Sequence, residues 1–317
     1  MFTLEKFQQN RELLTVVALI FGLLIFSTIL FFLWGKLKPK ANLSELKNRT
    51  RSWWAMATIF VSATLFNPAI SYIAFAFLSF FALRELISIS KYVRESDRRV
   101  LIWCYLSVPV QYFLAYKGWY GPFLVFIPVF MFLWIPFMLV VKGDTNEIAR
   151  SMSVLPTHLM LCVFAISHLA YLLSLPDLPG FHAGGRGLLL FLVFITEMND
   201  VFQFTWGKLF GKHKIIPKVS PNKTWEGFIG GVLTSAAMGY FLNFLTPLDH
   251  WMACGLAALI AMVGFGGDVV VSAIKRDIGI KDTGDAIPGH GGILDRIDSL
   301  ASTAPIFFHV IYFLSYT

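Results

Sequence analysis

Residues 120–141 read YGPFLVFIPVFMFLWIPFMLVV and contain no charged side chain. A helix rises about 1.5 Å per residue, so about 20 apolar residues cross the ~30 Å hydrocarbon core of a bilayer. Apolar runs of 10–14 residues, by contrast, are typical of buried core helices. The length of this run therefore predicts a transmembrane helix.

The composition of the whole chain agrees with this interpretation. Of 317 residues, 56% are hydrophobic and 14% are charged, whereas typical soluble domains have roughly 25% charged residues. So few charges exclude a water-soluble globule, and the 16% aromatic content excludes a disordered chain. Three cysteines, all within apolar runs, do not predict a disulfide framework. We expect an all-α, polytopic integral membrane protein.

Nine further apolar runs have roughly the length of a membrane crossing. Asn67-Pro68 separates two short runs, which could instead form one kinked hairpin. The sequence thus predicts about ten transmembrane helices, at 12–34, 52–66, 69–88, 100–116, 120–141, 153–174, 187–205, 226–246, 251–271 and 301–315.

The basic residues predict the orientation of these helices. Cytoplasmic loops of membrane proteins carry an excess of Lys and Arg, and here nearly all basic connections follow odd-numbered runs. Ten helices then place both termini on the outer side and loops 206–225 and 272–299 in the cytoplasm. A net charge of +7 is explained by this topology together with an anionic substrate, so nucleic acid is not an expected partner.

The loop at 272–299 combines acidic residues with basic ones. Asp295 and Asp298 are three positions apart and would share one face of a helix. Asp268 lies at the expected cytoplasmic end of the ninth helix, where a carboxylate is costly and functional by default. Carboxylates at one membrane face suit a hard divalent cation such as Mg²⁺, which also takes water and substrate phosphates as ligands.

Basic residues and glycines complete this loop. Lys275, Arg276, Lys281 and Arg296 could simply pair with the neighbouring acids. However, the Pro-Gly-His-Gly-Gly sequence at 288–292 allows backbone amides to approach an anion closely. His290 could bind a phosphate or relay a proton. Together these residues indicate phosphoryl or nucleotidyl transfer.

A second polar region begins in the seventh helix. Asp200 interrupts an apolar run, either to line a wet cavity or to bond another helix. In the loop that follows, Ser220 precedes Pro221, which predicts an N-cap and the first position of the eighth helix. Because helix N-termini bind phosphates, Lys218 and Lys223 would strengthen a phosphate site here. A charged surface turn is the alternative.

The loop sequences resemble one known family. Ser272, Lys275-Arg276, Lys281-Asp282, the glycine-rich stretch 288–292, Asp295-Arg296 and Asp298 match every fixed position of the phosphatidate cytidylyltransferase (CDP-diacylglycerol synthase) signature over 272–298. The stretch KVSPNKTWEG at 218–227 is also similar to that family. The resemblance implies a membrane enzyme that joins CTP and phosphatidic acid, with magnesium, to give CDP-diacylglycerol and pyrophosphate.

The resemblance also implies roles for individual residues. The metal would be held by Asp268, Asp295 and Asp298, with a second cation left open. The catalytic and phosphate-handling group would comprise Lys275, Arg276, Lys281, Asp282, His290 and Arg296. Substrate binding would fall to Asp200, Ser220, Asn222, Lys223, Thr224, Ser272, Gly291 and Gly292.

The sequence departs from the family pattern at two places. Val271 stands where many members have an acid, and Gln203-Phe204 stands where many have Ala-Tyr. A paralogue of the main enzyme of its cell is therefore an alternative, whether catalytic or not. A CTP-dependent lipid kinase of the polyprenol or phytol type and an anion transporter are further alternatives.

We expect two regions in the chain. An N-terminal multi-helix membrane region would occupy 1–150, and a C-terminal catalytic membrane region would occupy 151–317. The expected location is a bacterial-type inner membrane with the active site on its cytoplasmic side. The expected partners are CTP, phosphatidic acid and membrane lipids, and a homodimer is compatible with this picture.

Overall fold

Ten long helices make up most of the part of the chain that the structure describes. The computed structural model describes residues 4–37, 44–66, 68–94, 97–141, 143, 145–284 and 291–316. Within these residues, each apolar run identified in the sequence lies in its own helix. The helices are α1 (Leu4–Leu37), α2 (Ser44–Phe66), α3 (Pro68–Ile89), α4 (Arg98–Tyr116), α5 (Tyr120–Val141), α6 (Ile148–Leu172), α7 (Gly184–Phe210), α8 (Trp225–Phe241), α9 (His250–Ile278) and α10 (Leu294–Ser315).

Seven of these helices are long and apolar enough to cross a membrane, namely α1, α3, α5, α6, α7, α9 and α10. The chain thus has the helices of an integral membrane protein. Helix α8, with 17 residues, is short for a crossing, and α2 begins with a charged segment. Ten crossings and the side on which the termini lie stay predictions.

Two of the long helices contain a wider, π-helical segment in the middle. These segments are Phe126–Met131 in α5 and Met160–Phe164 in α6. Pro128 and Pro156 lie in or just before them, and a proline lacks the N–H that a regular α-helical turn requires. The central prolines are therefore accommodated without ending either helix.

The expectation of an all-α fold needs one correction. Lys214–Ile216 (β1) and Ser220–Thr224 (β2) form an antiparallel hairpin in the loop between α7 and α8. Ser220 consequently lies in a strand and is not the N-cap of α8. The cap is Thr224, whose Oγ1 accepts a hydrogen bond from Gly227 N at 3.2 Å.

The loop predicted at 272–299 is largely helical in the residues described. Helix α9 continues to Ile278, and α10 begins at Leu294. Lys275 and Arg276 therefore lie in the last turns of α9. The loop predicted at 206–225 is likewise shorter, because α7 continues to Phe210. Hydropathy located only the apolar part of each helix and missed the charged turns at its end.

Close packing of α9 against α10 brings their polar ends together. A Cβ atom on Gly267 would lie 2.6 Å from Ser302 Oγ and 2.8 Å from the backbone oxygen of Asp298. Only glycine allows this approach, since a side chain would push the two backbones apart. Asp268 on α9 is thereby held beside Asp298 on α10.

The opposite end of the molecule contains a cavity of about 560 Å³. Glu12 near the start of α1 and Ser315 at the end of α10 both line it, with residues 178–182 and 243–248. The start of α1 and the end of α10 therefore lie at the same end of the bundle. Helix α7 begins at Gly184, beside this cavity, and reaches Asp200 after about 24 Å.

Candidate functional site

Four polar side chains from four elements meet at the end of the bundle away from this cavity. Lys223 of β2 lies between two aspartates, with its Nζ 2.8 Å from Asp268 Oδ2 and 4.0 Å from Asp200 Oδ1. Asp298 of α10 is close enough for its charge to act on that of Lys223. The charged group Asp200, Lys223, Asp268 and Asp298 is called the central cluster below.

Lys223 is held firmly in this cluster. Its Nζ donates to Gln203 Oε1 at 3.2 Å and lies 5.3 Å from the centre of the Phe265 ring. Burial by itself would lower the pKa of Lys223, but the negative charges of Asp268 and Asp200 raise it above its ordinary value. The ammonium therefore stays protonated at physiological pH.

The aspartates of the cluster differ in how many of their carboxylate oxygens accept hydrogen bonds from the protein. Asp268 Oδ1 accepts from Ser272 Oγ at 3.2 Å, and Asp298 Oδ1 accepts from Ser299 N at 2.8 Å. Asp200 Oδ2 accepts from Ser299 Oγ at 3.1 Å. The other oxygen, Asp200 Oδ1, is buried and has no hydrogen-bond partner among the described residues.

The donor atoms of this cluster fit a hard cation. No three Asp, Glu, His or Cys side chains in the described part of the chain converge into a metal site by themselves. Mg²⁺, however, usually takes one or two carboxylates and completes its shell with water and substrate phosphates. Asp200 Oδ1, a buried oxygen without a hydrogen-bond partner, is the kind of ligand that such an ion requires.

Asp295 and Lys275 form a second, more enclosed pair. Lys275 Nζ donates to Asp295 Oδ1 at 2.6 Å, and both residues are buried. Asp295 Oδ2 accepts from Thr283 N at 2.7 Å and Gly292 N at 3.0 Å, and Thr283 Oγ1 lies 3.0 Å from it. Both carboxylate oxygens of Asp295 are thus engaged by protein donors.

The glycines of the signature fit tightly around this pair. Gly291 has a φ of +78°, a conformation that disfavours other residues. A Cβ on Gly291 would also lie 3.2 Å from Asp282 Cβ. Gly292 leaves room for the carboxylate of Glu85, from α3. His290, predicted to contact phosphate, lies outside the described residues.

The remaining basic residues of the signature are placed differently from one another. Arg276 is exposed and joins the hairpin to the end of α9, donating to Val219 O at 3.2 Å and Ile280 O at 3.0 Å. Lys281 and Asp282 are exposed as well. Arg296 is half-buried, and its Nε has no hydrogen-bond partner among the described residues.

The predicted substrate-binding residues of the hairpin lie beside the central cluster. Asn222 is exposed and Ser220 is half-buried, whereas Thr224 is buried as the cap of α8. Ser272 is buried and bonded to Asp268. The structure thus brings together Asp200, Lys223, Ser272, Asp268 and Asp298, and places Lys275 with Asp295.

Sequence reasoning missed Glu85 and Thr283, whereas it singled out Gln203 both as a polar residue of the apolar seventh helix and as a departure from the family. Gln203 is 5% exposed and contacts Lys223, whereas Phe204 is 62% exposed. Val271, the other departure, is 1% exposed in the apolar core. The signal for Gln203 was a polar residue four positions from Asn199 in an apolar helix. Glu85 carried no comparable signal.

Known proteins are similar to this chain over different lengths. A model of the cytidylyltransferase family matches residues 47–314. The uncharacterized protein YnbB of Escherichia coli (strain K12) is 40% identical over 303 residues, which cover 95% of this chain and 98% of that protein. A phosphatidate cytidylyltransferase of Staphylococcus aureus (strain COL) is 42% identical over 126 residues, or 38% of this chain and 48% of that enzyme. The chain thus matches about half the length of the staphylococcal relative.

Proposed function

The chain belongs to the cytidylyltransferase family, and from this premise we propose its specific reaction. It transfers the cytidylyl group of CTP to phosphatidic acid and forms CDP-diacylglycerol and pyrophosphate. Family membership supports a nucleotidyltransferase activity. The identity of the lipid acceptor is the finer proposal, and the staphylococcal phosphatidate cytidylyltransferase supports it.

The central cluster is the observation that carries this proposal. It combines carboxylates, which suit a metal, with a lysine, which suits a phosphate, at one end of a bundle of apolar helices. Both substrates are polyanions, so cationic groups must offset their mutual repulsion. Lys223 is positioned for this, and the Nε of Arg296, which has no hydrogen-bond partner among the residues described, is a further donor nearby.

The reaction itself requires little acid–base chemistry. A phosphate oxygen of phosphatidic acid attacks the α-phosphorus of CTP, and the bond from that phosphorus to the α–β bridging oxygen breaks. Pyrophosphate leaves with the bonding electron pair. Because the attacking oxygen is already an anion, no strong general base is needed. In this proposal, Lys223 and Arg296 orient the phosphates, and Lys275 keeps Asp295 and the glycine turn in place.

Mg²⁺ is the cofactor that we propose for this site. One or two carboxylates among Asp200, Asp268 and Asp298 would hold it together with water and substrate phosphates, and Asp200 thus replaces Asp295 in the sequence-based set. When bound, the ion would neutralise negative charge on the phosphates of CTP and of the leaving pyrophosphate. The engagement of both Asp295 oxygens by protein donors supports this revised set.

The surroundings of the cluster suit a lipid substrate. Phe204, Trp206 and Trp225 are exposed apolar side chains at the same end of the bundle. Acyl chains could therefore stay in the bilayer while the phosphate of the lipid reaches Lys223. We propose that this end faces the cytoplasm, where CTP is found, because the basic hairpin, the basic last turn of α9 and Lys91, which follows α3, lie there.

The decisive experiment uses purified protein in lipid nanodiscs with CTP labelled on the α-phosphate, phosphatidic acid and Mg²⁺. We expect label in the lipid fraction and equimolar pyrophosphate. Asp268→Asn should abolish both, because the variant removes a carboxylate from the central cluster. Asp177→Asn serves as a matched control, since Asp177 is exposed in the loop at the other end.

Other products would point to other functions. In a parallel assay with CTP labelled on the γ-phosphate, label in the lipid together with release of CDP would identify a lipid kinase instead. Binding of CTP without any product would identify a non-catalytic paralogue. Either result would overturn the proposed reaction, and chelation of divalent cations without loss of activity would overturn the proposed cofactor.

A further inference from the structure

Glu85, in the N-terminal half of the chain, reaches the start of α10. Its Oε2 accepts from Ile293 N at 2.9 Å, and its Oε1 accepts from Leu294 N at 3.0 Å. Thr283 Oγ1 donates to the same Oε1. One side chain of α3 thus binds three donors from the signature segment, more than 190 positions further along the chain.

These contacts satisfy a helix end that has no cap of its own. The first N–H groups of a helix lack intrahelical acceptors and carry partial positive charge. Ile293, at the N-cap position of α10, contributes no side-chain hydrogen bond to that end. Glu85 provides the acceptor from another helix, and its negative charge suits the positive end of α10.

Thr283 connects Glu85 to the buried pair of the site. Its hydroxyl lies between Glu85 Oε1 and Asp295 Oδ2, while its backbone N–H donates to Asp295 at 2.7 Å. Asp295 in turn binds Lys275. A continuous chain of hydrogen bonds therefore runs from α3 through the signature segment to α9.

The glycine turn is shaped around the same carboxylate. A Cβ atom on Gly292 would overlap with Glu85 Oε1 and would also lie 2.5 Å from Glu85 Cδ. Glycine at this position therefore does more than leave space for a phosphate, because it admits the carboxylate of Glu85. A larger residue would displace Glu85 from the start of α10.

We propose that Glu85 is a positioning residue for the cytidylyl transfer site. It fixes the start of α10, and through Thr283 it fixes Asp295 and Lys275, so that Asp298 and Arg296 on the first turns of α10 face the central cluster. Glu85 does not touch the substrate in this proposal. The kinetic part of the inference rests on the proposed function, whereas the structural part does not.

Hydrogen–deuterium exchange tests the structural part without any assay of activity. In Glu85→Gln, one amide oxygen remains, but the new NH₂ group faces an N–H donor of α10. We expect the amides of Thr283, Ile293 and Leu294 to exchange on the order of tenfold faster. Exchange in the hairpin should not change. Arg84→Gln, an exposed neighbour on the same turn, is the matched control.

Kinetics test the consequence for the site. Per mole of folded protein, Glu85→Gln should lower kcat on the order of tenfold to a hundredfold while KM for CTP changes little. Glu85→Asp, which keeps the charge, should recover part of kcat. Thr283→Val should cause a similar loss, and the double variant should lose much less than the product of the two single effects.

The possible failures are distinguishable. Unchanged exchange at 291–297 in Glu85→Gln would overturn the positioning role, whatever the enzyme catalyses. Normal kcat in folded Glu85→Gln, with active wild type, would overturn it too. An inactive wild type with faster exchange in the variant would refute the proposed reaction and support the positioning role. If Glu85→Gln does not fold, the same exchange and kinetic measurements are made on Thr283→Val. Unchanged exchange around Asp295 and Lys275 in that variant would then overturn the positioning role.

Discussion

Lys223 shows at the scale of one residue how the site balances its charges. Replacing it by Met keeps the length of the side chain and removes the ammonium that lies 2.8 Å from Asp268. The aspartates of the central cluster would then repel each other and the phosphates of the proposed substrates. We expect Lys223→Met to lower kcat/KM about a hundredfold or more, measured as CDP-lipid formation.

Lys214→Met is the control for this prediction, because Lys214 is exposed in β1 of the same hairpin and lies outside the central cluster. Its activity should stay within about twofold of the wild type. Equal losses in both variants would contradict the special role of Lys223.

The sequence singled out most of the polar residues that the structure brings together, but not their pairing. Acids and bases at fixed spacing indicated Asp268, Asp298, Lys223 and Lys275, and all four lie at one end of the bundle. The spacing could not tell that Asp295 bonds to Lys275 and Thr283 instead of facing Asp268. The role of Glu85 could not be predicted from the sequence, because a single glutamate at the end of an apolar helix resembles an ordinary surface residue.

At the scale of elements, α7 and α8 are held together by glycines. A Cβ on Gly227 would lie 2.7 Å from the backbone oxygen of Gln203 and 3.1 Å from Gly207 Cα. Gly227→Ala should therefore separate the two helices, at a cost of about 1–3 kcal/mol. We expect its thermal unfolding midpoint in detergent to fall by about 2–4 °C for each kcal/mol lost.

Gly255→Ala in α9 is the matched control, since a Cβ there meets no atom within 4 Å. This variant should be as stable as the wild type or slightly more stable, because alanine favours a helix. If Gly227→Ala has the same thermal unfolding midpoint as the wild type, α7 and α8 can move apart without any loss of stability, which would contradict this prediction.

The elements were predicted well where they are apolar and poorly where they are charged. Each of the ten runs corresponds to a helix, but α9 and α10 extend into the signature, and Ser220-Pro221 forms part of a strand. A proline in a strand with two lysines nearby does not give the alternation that identifies strands in a sequence. The cap of α8 was consequently placed four residues too early.

At the scale of the whole molecule, Glu12 and Ser315 line the same cavity. This predicts that the start of α1 and the end of α10 lie on the same side of the membrane. Arg11→Cys and Ser315→Cys should react with an impermeant thiol reagent added outside intact cells. Lys218→Cys, in the hairpin at the opposite end, should react only after permeabilisation. Labelling of Arg11→Cys and Ser315→Cys from opposite sides would refute this topology.

Helix α1 has a different relation to its surroundings from the other long helices. Only 6% of its most apolar window is buried in the protein, and its exposed side chains include Phe26 and Phe32. The helix lies before residue 47, where the family match begins. Lipid tails, more than protein contacts, must therefore solvate it. The detergent or lipid thickness will therefore decide whether α1 stays packed against the protein. In short-chain micelles, we expect α1 to detach before the central cluster loses its structure.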